Sequence, residues 1–400
     1  LLLQPLAPGC LTSFSYSVLS EVMGKAWYRY YDQLGFQPKP GSCMLRRYKG
    51  RPFFNISQSA SLESEHAGVE PMTLRLNEAA YPLADWRKPG LLGGLRNSRA
   101  QHRIEQRLES MAANADQITD RARNWYIKTV EISWSQAEIL QVMEEIERVS
   151  LASFEFYLAA RQTLEWAYNR LLNLTQEQAP YPANLALINN TLRDVDGLVE
   201  NQMAEQMLAM AELVQDDSAT RTWLEQGHFE EWTSALANKA VADALSAFLD
   251  RFGHRCADEG EMRNPRWGED PTPVLKGILA CTKHSAKHSV KVQATQCLEK
   301  LIEVAGPKQR KGVSALVDKI RLAMILQSQA LNASAYIFAG TRQWALAAAD
   351  EAAVDGRLVN RSDIFNFELE EIKQMMTGEW NISDIETIHA TAVQRNAAYT

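Results

Sequence analysis

From about residue 98 onward the sequence runs almost without helix breakers, and this texture constrains the fold more than any other feature. Long stretches rich in Ala, Leu, Glu, Gln and Arg carry apolar residues three and four positions apart, the spacing of one helix face. Ile118 to Thr163 contains almost no breaker, and residues 183–213, 218–252, 272–304, 311–355 and 363–376 repeat the pattern. Together they predict a mostly α fold, a multi-helix bundle-like body with few strands. No fixed-period repeat is visible.

The first hundred residues read differently. They hold more than half of the 14 prolines and one legible helix, Tyr16 to Leu34, with Val18, Leu19, Val22, Met23, Trp27 and Tyr30 on one side. The run Arg51-Pro52-Phe53-Phe54-Asn55-Ile56 is short, aromatic and bounded by turns, which fits a strand or an extended loop. Aromatics concentrate here: Trp27, Tyr28, Tyr30, Tyr31, Phe36, Phe53 and Phe54. Such a segment either packs as helix core or lines an apolar ligand pocket. The chain therefore divides into an N-terminal part, 1–100, and a helical body, 101–400.

Charge narrows the function classes. Forty-two Lys and Arg against 49 Asp and Glu give a net charge of −7, which argues against a broad nucleic-acid footprint. No apolar run approaches the roughly 18 residues of a membrane span. No basic, apolar leader opens the chain, so a secretion signal is not expected. Cys10, Cys43, Cys256, Cys281 and Cys297 are odd in number and scattered, as expected of reduced thiols in a cytoplasm. The sequons at Asn55, Asn173, Asn332 and Asn381 then read as chance matches.

Chemistry is densest between Arg251 and Trp267, where four arginines, His254 and the acids Asp258, Glu259 and Glu261 fall within seventeen residues. Gly253 follows a helix and reads as a left-handed cap. Arginines in such a turn grip a phosphate, with the acids holding the guanidinium planes. They equally form an ion-paired structural loop that clamps two helices. Further on, Lys283, His284, Lys287, His288 and Lys291 make a basic stripe at helical spacing. The paired histidines lack the glutamate and third ligand of a zinc motif, so a solvated face or an anionic partner surface fits better than metal. Gly306 to Lys311 is a basic turn without the pattern of a phosphate-binding loop. Met203, Met207 and Met210 form a core stripe or an adaptable pocket wall.

Several segments together resemble one family. Phe252-Gly253-His254-Arg255, Glu259, Glu261, Pro265-Arg266-Trp267 and Asp270-Pro271 are similar to a signature of the phosphoenolpyruvate-utilising phosphotransferases, in the branch of phosphoenolpyruvate synthase and rifampicin phosphotransferase. Gly356-Arg357-Leu358 with Ser362 to Phe367 and Leu369 to Ile372 resembles the segment before the family's swivelling phosphohistidine domain. Leu11 to Leu19 with Lys49 to Asn55 resembles the entry to its central domain. The resemblance implies a helical acceptor-binding domain, about 10–400, served by an ATP-grasp domain and a phosphohistidine domain that are absent from this sequence. It implies ATP and Mg²⁺ for the whole enzyme, with no cofactor or metal on this chain and no catalytic residue contributed by it. On this view Arg255 and Arg266 meet the phosphate or order the interface, and Glu259 and Glu261 orient them. His254 is a candidate proton shuttle. Arg51 and Phe53, with the aromatic segment, help hold an acceptor that is pyruvate-like or an apolar hydroxyl compound.

The sequence also departs from the family pattern. A family glycine is Asp258 here, a family aspartate is Glu261, and Cys10 replaces a proline before Leu11-Thr12. Rifamycin-phosphorylating members carry an Arg-x-x-x-Lys pair, whereas Arg321 is followed four residues on by Ile325. Two further functions stay open at this point, a non-catalytic helical scaffold and a metal-dependent hydrolase built on His284 and His288.

Overall fold

A computed structural model describes residues 7, 9–33, 43–55, 74–76, 79–81, 91–131, 135–176, 181–193, 195–227, 229, 232–283, 290–379 and 384–399. Helix α1 (Ser13–Gln33) leads to a hairpin of β1 (Leu45–Tyr48) and β2 (Arg51–Phe54), then to a second small hairpin of β3 (Leu74–Leu76) and β4 (Ala79–Tyr81). Helices follow: α2 (Leu91–Ala113), α3 (Ala115–Glu131), α4 (Gln136–Gln176), α5 (Tyr181–Thr191) and α6 (Val199–Gln215). Next come α7 (Ser218–Gln226), the short α8 (Trp232–Ala235), α9 (Lys239–Phe252), α10 (Thr272–Thr282) and α11 (Val290–Ala305). Helix α12 (Arg310–Val354) precedes a 3₁₀ turn, Arg361–Asn366, then α13 (Leu369–Thr377) and α14 (Ile385–Tyr399). The mostly α expectation holds, and the Arg51 segment is a strand.

The breaker-free stretch 118–163 is in fact two helices. Ser135 accepts from the Glu138 N–H at 3.4 Å, and the Glu138 carboxylate accepts the Ser135 N–H at 2.8 Å, a reciprocal cap that starts α4. Periodicity is blind to such a restart, because both flanking helices keep their apolar spacing. The stretch 183–213 is likewise split, and Gly197 at φ +93° turns the chain ahead of α6.

Two apolar clusters organise the packing. The large one joins α1, α2, α3, α4 and α12 with the 3₁₀ turn and α13, burying Trp27, Tyr30, Phe154, Tyr157, Phe338 and Trp344. Each such side chain contributes about 1.5–3 kcal/mol by leaving water. The 41-residue α4 and 45-residue α12 form its spine, and alanines such as Ala333, Ala339, Ala345 and Ala349 let α12 be approached closely. Gly340 lies directly against Trp125 of α3, where a methyl group would strike the indole. The smaller cluster gathers α6, α7, α9 and α10 around Phe248, Leu245 and Ile278. The segment between α9 and α10 belongs to both, because Trp267 packs against the smaller cluster and Met262 sits in the larger.

Candidate functional site

That segment, 253–270, is the arginine-rich loop, and its backbone folds on itself. The Gly268 N–H donates to the Gly253 carbonyl at 2.8 Å, and the Trp267 N–H to the Arg255 carbonyl at 2.8 Å. Gly253 is right-handed, at φ −61° and ψ −19°, so it is not the left-handed cap its position after a helix predicts. Its glycine is required by proximity instead: an added Cβ would lie 3.2 Å from the Gly268 Cα and against the Leu249 carbonyl. Asp258, standing where the family pattern has glycine, does adopt the left-handed region, at φ +53°. Aspartate tolerates that conformation better than most residues with a side chain.

The charged side chains of the loop turn inward. His254, Arg255, Glu259, Glu261 and Arg266 are all buried. Arg255 pairs with Glu259 through Nε and reaches Asn332 Oδ1 at 3.4 Å. Arg266 donates to the Glu259 carbonyl at 3.2 Å and to Cys256 Sγ, while its Nε and Nη2 have no hydrogen-bond acceptor among the described residues. Burial pushes the Glu259 carboxyl above its usual range, against the pull of Arg255 and Arg266. Burial, aided by Arg255, holds the His254 imidazole well below 6.5, so it is neutral at pH 7. Its ring stacks on Tyr336 at 3.4 Å, and Nε2 lies 3.0 Å from Asn332 Oδ1.

Among the described residues, Glu261 bonds to the start of α1 and to the loop backbone rather than to Arg255 or Arg266. Its carboxylate accepts from the Thr12 N–H at 2.7 Å, Thr12 Oγ1 at 2.9 Å, Ser15 Oγ at 2.8 Å and the Arg263 N–H at 2.8 Å. It thus seats a negative charge on the N-terminal turn of α1, where exposed N–H groups favour an anion. A second clamp escapes sequence reading. Arg342 of α12 grips Glu269 bidentately, at 2.9 and 2.8 Å, and donates to the Met262 and Arg263 carbonyls at 2.9 Å each. A lone arginine in the alanine run of α12 is the signal that could have found it.

The N-terminal hairpin docks on the same junction. The Leu11 N–H donates to the Gly50 carbonyl at 2.8 Å, and Arg47 reaches the Leu11 carbonyl at 2.7 Å. Arg51 and Phe53 of this hairpin are both exposed, Phe53 by 52 %. Lys283 is exposed at the end of α10, while His284, Lys287 and His288 lie outside the described residues.

An open cavity of about 430 Å³ adjoins this network. Its wall comes from α4 (Arg161, Leu164, Glu165, Tyr168), Asn189 of α5 with Leu192 just after it, Leu198 just before α6 with Glu200 in its first turn, and α12 (Met324, Gln327, Ser328, Leu331). Glu200 belongs to both places. Ser328 Oγ donates to it on the cavity side, and the Arg255 guanidinium stands 3.6 Å from it on the loop side. Arg161 pairs with Glu165 at 2.6 Å, and the Tyr168 hydroxyl donates to Asn189 at 2.8 Å. Behind the wall, burial pushes the Tyr157 phenol up to about 12. Neither Arg51 nor Phe53 is among the lining residues.

Comparison with known proteins adds a relationship to this geometry. Residues 152–327 match the family model described as the fourth domain of rifampicin phosphotransferase, a span holding the whole arginine loop and most of the cavity wall. The rifampicin phosphotransferase of Streptomyces sviceus is 22 % identical over 196 residues, 45 % of this chain and 23 % of the relative. That of Bacillus cereus is 22 % identical over 149 residues, 35 % of this chain and 16 % of the relative. The chain therefore spans less than a quarter of the length of these relatives. At low identity and over part of its length, it is related to the phosphoenolpyruvate-utilising phosphotransferases.

Proposed function

We propose that this chain is the acceptor-binding helical domain of an ATP-dependent phosphotransferase that works through a phosphohistidine. The observation that carries the reading is the cavity: it lies almost wholly within the related segment and meets the arginine loop at Glu200. An acceptor bound there sits on a rigid helical wall, and phosphoryl transfer asks mostly for such positioning and charge neutralisation. ATP and Mg²⁺ serve the ATP-grasp and phosphohistidine partners, which load the phosphoryl group and present it to the acceptor. The test is ATP-dependent acceptor phosphorylation in a protein that joins this chain to those two partners. Met324→Trp, which fills the cavity, is expected to abolish transfer while leaving phosphohistidine formation intact. Transfer that survives the filled cavity rejects the reading.

One observation favours a second reading, a helical scaffold without catalysis. Arg255, Glu259, Glu261 and Arg266 are buried and bonded within the chain, as a structural clamp would be. Arg255→Ala and Arg266→Ala separate the two readings. Loss of folding, in a protein that never transfers phosphate, supports the scaffold; loss of transfer with unchanged melting supports the phosphotransferase.

A further inference from the structure

The hairpin of β1 and β2 carries four cations, Arg46, Arg47, Lys49 and Arg51, and no carboxylate between residues 43 and 55, in a chain whose net charge is −7. Its register places Arg46 opposite Phe53 and Tyr48 opposite Arg51, so these four side chains share one face of the ribbon. All four are exposed, and among the side chains described Tyr48 and Phe53 are the only exposed aromatics. The opposite face anchors the ribbon: Leu45 is buried, Phe54 packs against the large cluster, and Arg47 holds the Leu11 carbonyl. Lys49 at φ +48° and Gly50 at φ +75° close it through a two-residue turn whose twist matches that of the strands. The outer face is therefore held in place from behind and at its tip. Its two rings meet edge to face with centroids 6.4 Å apart, and Lys49 stands over Tyr48 at 5.7 Å. No carboxylate among the described residues pairs with Arg46 or Arg51.

Exposed rings beside unpaired guanidinium groups match a partner that is both anionic and apolar. Arginine and aromatic residues are enriched where proteins meet, and acidic residues are depleted there. A nucleic-acid strand needs cations along a continuous track, whereas each strand of this ribbon is 4 residues, about 13 Å, long. We infer that the outer face of the β1–β2 hairpin, made by Arg46, Tyr48, Arg51 and Phe53, docks an acidic protein segment whose carboxylates meet the arginines and whose apolar side chains cover the rings. The inference is independent of the cavity reading.

Fluorescence anisotropy of labelled probes titrated with the 400-residue chain tests it. The probes are a peptide of about 12 residues mixing glutamate and leucine, its analogue with glutamine for glutamate, its analogue with glycine for leucine, and a single-stranded oligothymidylate of similar length. The mixed peptide is expected to bind most tightly, by roughly tenfold over the glutamine analogue and severalfold over the glycine one, and to weaken as salt is added. Arg46→Glu with Arg51→Glu is expected to cost about tenfold or more in its affinity with unchanged melting, and Tyr48→Ser with Phe53→Ser a similar factor. Arg46→Gln with Arg51→Gln gives the same comparison should charge reversal lower the melting temperature. Binding that survives these variants, a glutamine analogue that binds as well as the acidic peptide, or no peptide binding at low salt overturns the inference. Oligothymidylate binding more tightly than the peptide, and lost in the same variants, also overturns it and assigns the face to nucleic acid.

Discussion

The arginine loop and the cavity share Glu200, yet they are built on opposite terms. In the loop, six titratable side chains are buried and most of their polar atoms are spent on another part of the chain. In the cavity, the wall is open to solvent and its charged groups are partly exposed, Arg161 pairing with Glu165 and Glu200 with Arg255. The first arrangement fixes structure, since a buried charge stripped of its partner is costly. The second leaves groups free to exchange water for a ligand at little cost to the fold. The same residue types are thus locked into the fold in one place and left partly exposed in the other, and burial decides which.

The sharpest way to break that contrast is to remove one carboxylate from each place. Glu261→Ala strips four donors at the start of α1 and the end of the loop of their shared acceptor. Unfolding in urea should show a loss of about 3–5 kcal/mol, since each buried donor left without its acceptor costs about 1–3 kcal/mol. Glu165→Ala in the cavity wall, whose pair with Arg161 is partly exposed, should cost under about 1 kcal/mol. Equal losses would show that the loop is no more than a decorated surface.

How much of this the sequence revealed follows from how far apart the partners lie. The helices were legible because each carries its own apolar face, and their restarts were missed because a cap such as Ser135 with Glu138 leaves that face unchanged. The loop was legible as a charge-dense turn, but its roles were not. Glu261 meets Thr12 across 249 positions and Arg342 meets Glu269 across 73, distances at which spacing carries no signal. The cavity was not legible at all. Its wall draws ordinary residues from separate segments between 161 and 331, and only packing makes them neighbours.

Acidification probes the loop more gently. The unfolded chain protonates His254 near pH 6.5, whereas the folded chain does so only well below it. The unfolded state therefore binds more protons as pH falls through 6.5, so stability present above that pH is lost below it, by up to about 1.4 kcal/mol per pH unit. Glu259 acts in the opposite sense: its carboxyl is raised in the fold, so its contribution is complete below pH 4.5 and lost as pH rises through the folded value. Urea midpoints measured from pH 7 to pH 5 should fall in the parent chain, and in His254→Gln that fall should shrink or reverse. An unchanged slope in the variant would mean that the imidazole is not held neutral.

The smallest effect expected is a gain. Asp258 holds φ +53°, a region where a Cβ is strained and glycine is not, and its carboxylate carbon lies 3.6 Å from where a Cβ on Gly9 would stand. Asp258→Gly removes the strain at one point of the junction while leaving the Glu261 N–H to Asp258 carbonyl bond, 2.8 Å, in place. Glycine also widens the unfolded ensemble, which offsets part of the relief. The net should be a gain of about 0.5 kcal/mol, and Asp258→Ala, which keeps the Cβ and loses the polar side chain, should instead lose about 1 kcal/mol. Opposite signs for these two variants, read from the same denaturation series, would place the strain in the backbone of the loop. A loss in both would place it in the carboxylate, making Asp258 a further charge on which the junction depends.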